Sequence, residues 1–398
     1  MTEPPWLPAM RAEFIEVGFD ICETFNWAWY NASVSDSKLQ LDPFGCGDSL
    51  GLLVANTKNL WSPFIKFLSR HHLWRSRKHP VHDYVEFHIR RIVARHLDVG
   101  FDIHFVHERD PGRLVAMQQL GEIIALAYYS RESHLSVHPK FGPWFAFRAA
   151  IVVDKTGPCR PPPVRLKSPI SQKDEVRVKD AMAVVLKAVA TDTAPTIDVR
   201  FRGRPGYFEA WLAVRDAINV GNETWRFSED QILYHYTTDR AVLARLCGWA
   251  HVDVVVVGTA PPCPRCGQLA AMVIEVASEL NLQSEHFKCH HVAWDTPAAV
   301  CLVGEGSGYA HIGTAHQVAD TLNLNSDTDW PAVAAAEASN NVAALDCLLS
   351  HIEKAAKETA WLMTPVLIVN GRVVWYGSVP ERGVVLAALQ EAASSREW

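Results

Sequence analysis

The sequence predicts a two-domain protein whose second domain is a small α/β sheet domain, on three observations. The chain has 398 residues, more than one average hydrophobic core accommodates. Its pattern changes after Cys247-Gly248. Residues 248–398 read strand, helix, strand, helix, hairpin, helix, the alternation that builds a sheet covered by helices. The domains are accordingly residues 1–247 and 248–398.

Composition narrows the function classes. The chain is 48% hydrophobic and 21% charged, an ordinary globular balance. With a net charge of -6 it has no broad basic field to recruit nucleic acid. The basic cluster from Lys66 to Lys78, with Arg70, Arg75 and Arg77, reads as a solvated surface. Residues 1–10 lack a basic region followed by an apolar run, so no secretory signal is expected. No apolar stretch reaches the length of a membrane span. The nine cysteines are odd in number and scattered, which fits a reducing compartment better than a disulfide scaffold. The expected setting is the cytoplasm, with no membrane partner.

In the N-terminal domain, residues 49–56 form an apolar run and read as a buried strand. Residues 80–97 and 112–130 carry apolar positions three and four apart and read as helices. Residues 101–106 alternate as a strand. Residues 135–154, rich in aromatic and β-branched side chains, read as two strands meeting at a turn at Gly142-Pro143. A proline-rich loop at 157–163 precedes a helix at 173–190. Residues 200–236 are aromatic and loop-rich. They end in a helix started by Ser228, whose Ser-x-x-Gln spacing to Gln231 is a capping box.

In the C-terminal domain, residues 251–257 read as a β-branched strand, 266–280 as an amphipathic helix and 286–293 as a second strand. Residues 296–330 read as irregular, and 333–362 as mostly helical. Asn370-Gly371 joins residues 365–369 and 372–377 in a hairpin. A last helix covers 381–393.

Cys263-Pro264-Arg265-Cys266 opens the helix after the first of these strands. A helix N-terminus presents unpaired N–H groups and partial positive charge, which favours the Cys263 thiolate. Arg265 adds positive charge. Cys266, one turn on, can attack a mixed disulfide at Cys263 and release the product. The alternative is structural zinc, with Cys289, His290 and His291 completing the ligands. No second Cys-x-x-Cys accompanies the first, so redox chemistry is the stronger reading. Gly304 to Gly308 imitates a phosphate loop only faintly and reads as a flexible loop.

These residues resemble the thioredoxin superfamily in order: the strand at Val254 to Val257, the dithiol, and Thr364-Pro365 before the hairpin. The resemblance implies that Thr364-Pro365 is a cis peptide facing the dithiol, which makes Pro365 a site residue. The long gap between dithiol and Pro365 implies an insertion near residues 296–335.

The N-terminal domain shows no His-Glu-x-x-His and no Walker loop. Asp102-Ile103-His104 approaches a corrinoid-binding signature, but the glycine is missing and the segment reads as a strand. The most unusual stretch is Ser136 to Arg148, which packs His138, Phe141, Trp144, Phe145, Phe147 and two cations around a turn. Such a cluster can line a flat ligand.

Family likeness carries the reading further. Val17 to Asp20, Ala28 to Asn31, Ala127 to Tyr129, His138 to Gly142, Trp144 to Arg148 and Arg226 to Gln231 are similar, in order and spacing, to the cobalamin-processing family of the CblC type. The resemblance implies an α+β fold of nitroreductase or flavin-reductase type. It implies binding of cobalamin without its lower base and removal of the upper ligand. Cyanide leaves after one-electron reduction of cobalt; an alkyl group leaves by attack of the glutathione thiolate. The implied corrin pocket comprises Tyr128, Tyr129, His134, His138, Phe141, Trp144, Phe145, Ala146 and Phe147. Arg226 matches a glutathione-binding arginine by motif, and Arg177 is a looser candidate. The only metal implied is the cobalt within cobalamin, with no protein side chains as ligands. FMN or FAD is a candidate further cofactor, and a thioredoxin or flavin reductase a candidate partner. Taken together, the expectation is a cobalamin-processing enzyme fused to a thiol-redox module that supplies or recycles its reducing equivalents; the alternatives are a cobalamin chaperone, or a thiol-disulfide oxidoreductase that uses bound cobalamin or flavin for another reductive reaction.

Overall fold

A computed structural model describes every residue except 1–2, 42–47, 72–73, 76, 161, 191–206, 283–285, 301, 304–306 and 395–398. Cys46, Cys301 and most of the glycine loop at 304–308 therefore lie outside the described residues. The chain divides into two compact units. One is Met1–Ile65 with Val81–Val242, and the other is Lys66–Pro80 with Leu243–Trp398.

Among the described residues, the first unit holds a four-stranded antiparallel sheet. Its strands are β1 (Ile21–Asn26), β2 (Ser49–Asn56), β3 (Phe101–Phe105) and β6 (Ala146–Thr156), in the order β1-β2-β6-β3. β4 (Tyr128–Ser130) and β5 (Leu135–Val137) form a separate two-stranded ribbon. The apolar run at 49–56 is buried along its whole length, as expected of a strand covered on both faces. The main core gathers Phe25, Trp29, Tyr30, Leu53, Met117, Leu120, Phe145 and Phe147.

Two readings change here. The helix expected at 112–130 spans only Met117–Ile123. It stops because Ala125 turns left-handed (φ 56°) and the N–H of Leu126 closes back on the Gly121 carbonyl at 2.9 Å. Tyr128 and Tyr129 then enter β4 instead. The two strands of 135–154 do not pair with each other: β5 pairs with β4, and β6 with β2 and β3. The turn between them is closed by reciprocal backbone bonds between His138 and Gly142, at 2.9 and 2.8 Å. Gly142 is left-handed (φ 61°), and a Cβ there would sit 1.7 Å from the Val220 carbonyl oxygen. Only glycine fits.

The second unit is built on β7 (Val252–Gly258), β8 (Phe287–Ala293), β11 (Val366–Val369) and β12 (Arg372–Tyr376), in the order β12-β11-β7-β8. β7 pairs parallel with β8 and antiparallel with β11. Alternation along β7 covers both faces. Val252, Val254 and Val256 meet Leu269, Val273 and Val276 of the helix Pro264–Glu279, and Val385 and Leu389 of Arg382–Ser394. Val255 and Val257 face Ala299, Leu302, Ile312 and Leu362. Asn370 and Gly371 are both left-handed, the geometry an Asn-Gly hairpin needs.

The segment between β8 and β11 is more ordered than its sequence suggests. β9 (His311–Gly313) pairs parallel with β10 (Trp361–Met363). The helix Ala315–Leu322 starts in a full capping box between Thr314 and Gln317. Together with Trp330–Ala338, Val342–Leu348 and Ser350–Glu358 it makes a core of its own around Val318, Leu345, Leu349 and Ile352. The basic cluster at 66–78 is also not wholly solvated. Arg75 is buried, donating to the Ala250 carbonyl at 2.6 Å and the His251 carbonyl at 3.3 Å. No helix among the described residues is long and apolar enough to cross a membrane.

Candidate functional site

The dithiol stands where a strand ends and a helix begins. Cys263 is the N-cap of Pro264–Glu279, with Pro264 at the first helical position. Its N–H donates to Thr259 Oγ1 at 2.9 Å, and its carbonyl accepts the first helical bond from Gly267. Cys266 is fully buried, Cys263 half-buried, and both are free thiols with sulfurs 3.0 Å apart. A Cβ on Gly258 would lie 2.3 Å from Cys266 Sγ, so the end of β7 must be glycine for the thiol to fit.

Electrostatics separate the two sulfurs. The Cys266 thiol and backbone N–H hold the Cys263 sulfur and, with the charge of Arg265, outweigh burial and push it down to about 6. Cys266 moves the other way, far above the ordinary thiol range, because its proton is held by Cys263 and its sulfur is buried. Cys263 is thus the more acidic and more accessible thiol, and Cys266 the buried one. The Thr364–Pro365 peptide is cis, and the Thr364 carbonyl accepts from Arg265 Nη2 at 3.3 Å. Among the described residues, no group of three or more His, Cys, Asp or Glu is placed to hold a metal ion.

The first unit offers a cavity of about 660 Å³. Val106, Val115, Met117 and Phe147 supply apolar wall, Gln118 and Gln119 amides, and Tyr129 a phenol. Glu122, Arg131 and Arg165 add charge. Phe147 lies over the helix Met117–Ile123, where a Cβ on Gly121 would meet its ring at 2.7 Å. The Tyr129 hydroxyl meets His134 Nδ1 at 3.3 Å, and the His134 carbonyl accepts from Gln118 at 3.0 Å. Arg165 pairs with Glu122 at 3.4 Å. Both are partly exposed, so the pair is worth about 1 kcal/mol at most and an anionic ligand can displace it.

The residues expected around the corrin separate into groups. Tyr129 and Phe147 line this cavity, with His134 bonded to Tyr129. Tyr128 precedes Tyr129 on β4, where alternation directs it to the opposite face. Phe145 packs edge-on against Phe147 in the core, and Ala146 opens β6 opposite Asn56. His138 caps its own turn: Nδ1 accepts from the N–H groups of Lys140 (3.0 Å) and Phe141 (3.2 Å), and the ring stacks on Phe141. Burial, then Lys140, lowers His138 to about 4, so it is neutral at pH 7. Trp144 is fully buried against Phe227 and donates to Asn222 Oδ1 at 2.6 Å.

The two arginines expected to hold glutathione are engaged with carboxylates. Arg226 bonds Asp216 at 2.9 Å and Glu229 at 2.5 Å, with its guanidinium over the Trp144 ring. Arg177 pairs with Asp174 at 3.0 Å on the exposed face of its helix. The arginines at the cavity are Arg131 and Arg165, which no sequence motif singles out. The signal for Arg131 is its place two residues beyond Tyr129. Arg148 is a further buried cation, donating to Asn56 Oδ1 at 2.5 Å, with burial lowering it to about 10. His104, in the corrinoid-like stretch, is buried and bonded to Asp102 (3.2 Å) and the Arg113 carbonyl (3.0 Å).

Comparison with known proteins locates the likeness. The model of the methylmalonic aciduria and homocystinuria type C family (MMACHC) matches residues 18–172. The Bos taurus protein named cyanocobalamin reductase / alkylcobalamin dealkylase is 27% identical over 164 residues, 37% of this chain and 57% of that protein. The Homo sapiens protein of the same name is 28% identical over 152 residues, 34% of this chain and 52% of that protein. The chain thus spans about half the length of the curated relatives it matches. A solved structure of the C. elegans B12-trafficking protein CblC, a human MMACHC homologue, aligns with a TM-score of 0.46 and 17% identity. That alignment covers 61% of this chain and 97% of the other. The family model's match is to residues 18–172, and every residue lining the cavity falls inside that range.

Proposed function

We propose that the chain binds cobalamin in the cavity of its first unit and removes the upper axial ligand, by reductive decyanation, glutathione-dependent dealkylation or both. A thioredoxin-like second unit, through Cys263 and Cys266, supplies or recycles the reducing equivalents. The observation that carries the first part is a coincidence of range. The family match over residues 18–172 contains the whole cavity wall, and relatives named for cyanocobalamin reduction match over 152 to 164 residues. The cavity has the size of a small-molecule site. Its apolar wall at Phe147 and Met117 suits a flat corrin ring, and Gln118, Gln119 and Tyr129 suit that ring's amide side chains. Arg131 and Arg165 offer charge-assisted bonds to glutathione carboxylates, beside Arg226 and Arg177, the candidates by resemblance.

The second part rests on the poised Cys263 and the buried Cys266. Two thiols give up two electrons and two protons to a disulfide such as oxidised glutathione, which becomes two thiols while Cys263 and Cys266 join. Fusion in one chain raises the effective concentration of that donor. The test is the visible spectrum of the protein with cyanocobalamin, before and after glutathione. A base-off spectrum followed by cyanide release supports the reading. No spectral change removes the cobalamin part, and binding without ligand loss makes the unit a carrier. Turnover unchanged in Cys263→Ser under every thiol and reductase condition removes the coupling. Dependence on added FMN or FAD decides flavin use.

A further inference from the structure

Resting on the reading of Cys263 and Cys266 as a redox pair, we propose that Asp346, in the helical segment between β8 and β11, is a positioning residue that limits how strongly Arg265 favours the Cys263 thiolate. Arg265 stands between the two cysteines, yet its residue surface is only 5% exposed. Its guanidinium turns inward. Nη1 donates to the Gly377 carbonyl at 2.7 Å, and Nη2 to the Thr364 carbonyl at 3.3 Å. These carbonyls precede β11 and follow β12, so one cation joins the dithiol helix to both strands at the open end of the hairpin.

The charge of that cation has a counter-charge from elsewhere. Asp346 Oδ1 faces Arg265 Nη1 at 3.5 Å, and Oδ2 accepts from the Val379 N–H at 3.3 Å. Asp346 sits on Val342–Leu348, between Leu345 in the segment's own core and the exposed Cys347. Carbonyls satisfy the donors of a buried guanidinium without cancelling its charge; a carboxylate cancels it in part. At 3.5 Å the ion pair is long, so the compensation is incomplete. The contribution of Arg265 at Cys263 is therefore reduced by Asp346, and the inserted segment sets the size of that reduction.

Among the described residues, titratable and charged groups around this cluster include Cys266 on the same helix, His291 on β8, and Glu353 and Lys357 on Ser350–Glu358. His291 Nε2 lies on the same side of Gly258 as Cys266, 3.2 Å from where a Cβ would stand. Glu353 accepts from Ser378 and Lys357. Substitutions at Asp346 and Arg265 leave all of these groups in place.

The test is the rate of Cys263 alkylation by iodoacetamide against pH, read by mass on the full chain. Asp346→Asn lowers the midpoint by roughly 0.5–1 unit, because the positive charge is then uncompensated. Arg265→Gln raises it by a similar amount, and Asp346→Glu restores the natural value. A merely structural role predicts the opposite sign, since loosening the helix start returns Cys263 toward an ordinary thiol. Asp346→Ser, which keeps an acceptor for Val379 without the charge, carries the same test should the asparagine variant not fold. A midpoint unmoved or raised in Asp346→Asn or Asp346→Ser overturns this inference alone. A natural chain whose Cys263 titrates as an ordinary thiol overturns the dithiol reading and this inference with it.

Discussion

In the second unit the proposed chemistry rests on two sulfurs three residues apart, whereas in the first the cavity wall is gathered from segments spread between Val106 and Arg165. The first arrangement is local. The Cys266 thiol and N–H at the helix start, with the charge of Arg265, separate the two thiols within four residues of chain. The second is assembled. Phe147 reaches the cavity because Gly121 lets its ring settle on a helix, and Tyr129 because Ala125 ends that helix early. Local chemistry is therefore sensitive to single atoms, and assembled chemistry to backbone fit.

The largest effect expected from that contrast is Cys263→Ser. It removes the nucleophile and lowers disulfide reduction by about 10³-fold or more, measured on an aromatic disulfide. In the natural chain the same reaction speeds up as pH rises through about 6 and levels off above it, because the thiolate is the form that attacks. A profile centred in the ordinary thiol range would break the claim that the groups at the helix start favour the Cys263 thiolate.

Gly142→Ala tests backbone fit. The left-handed φ and the Val220 carbonyl leave no room for a methyl, and a loss of roughly 2–4 kcal/mol in chemical unfolding is expected. Little loss would mean that the turn and its neighbour yield easily.

A smaller effect separates the two sets of arginines. Arg131→Gln with Arg165→Gln raises the KM for glutathione in dealkylation about tenfold if the cavity cations hold it, about 1.4 kcal/mol. The same change in Arg226→Gln alone would instead place glutathione at Arg226, in exchange for its bonds to Asp216 and Glu229. The smallest effect is on Arg177→Gln, an exposed pair three residues apart, with unfolding stability unchanged within about 0.5 kcal/mol.

Much of the fold is legible in the order of residues. The strand at 49–56 coincides with β2, and the helix expected at 173–190 is Gln172–Ala190. Asn370-Gly371 turns as its residue types require. The elements that escape such reading carry weaker marks. The helix end at Ala125 has no glycine to announce it. The helix Ala315–Leu322 is announced by Thr314 and Gln317, but inside a stretch whose residue pattern reads as irregular. β9 is three residues long and exists because β10, far along the chain, pairs with it.

What the sequence determined alone is the placement of Cys263 and Cys266 at a helix start after a buried strand. That follows from neighbours in the chain, through periodicity and the groups every helix end leaves unpaired. What only the tertiary structure decided is which charges and rings are covered. Arg75 reads as part of a solvated surface and Arg265 as a charge beside Cys263, yet both are buried because carbonyls distant in sequence converge on them. Trp144 and Tyr129 read alike as ligand-facing aromatics; one is core and the other lines the cavity. Burial depends on what the rest of the chain brings alongside, and no local pattern encodes that.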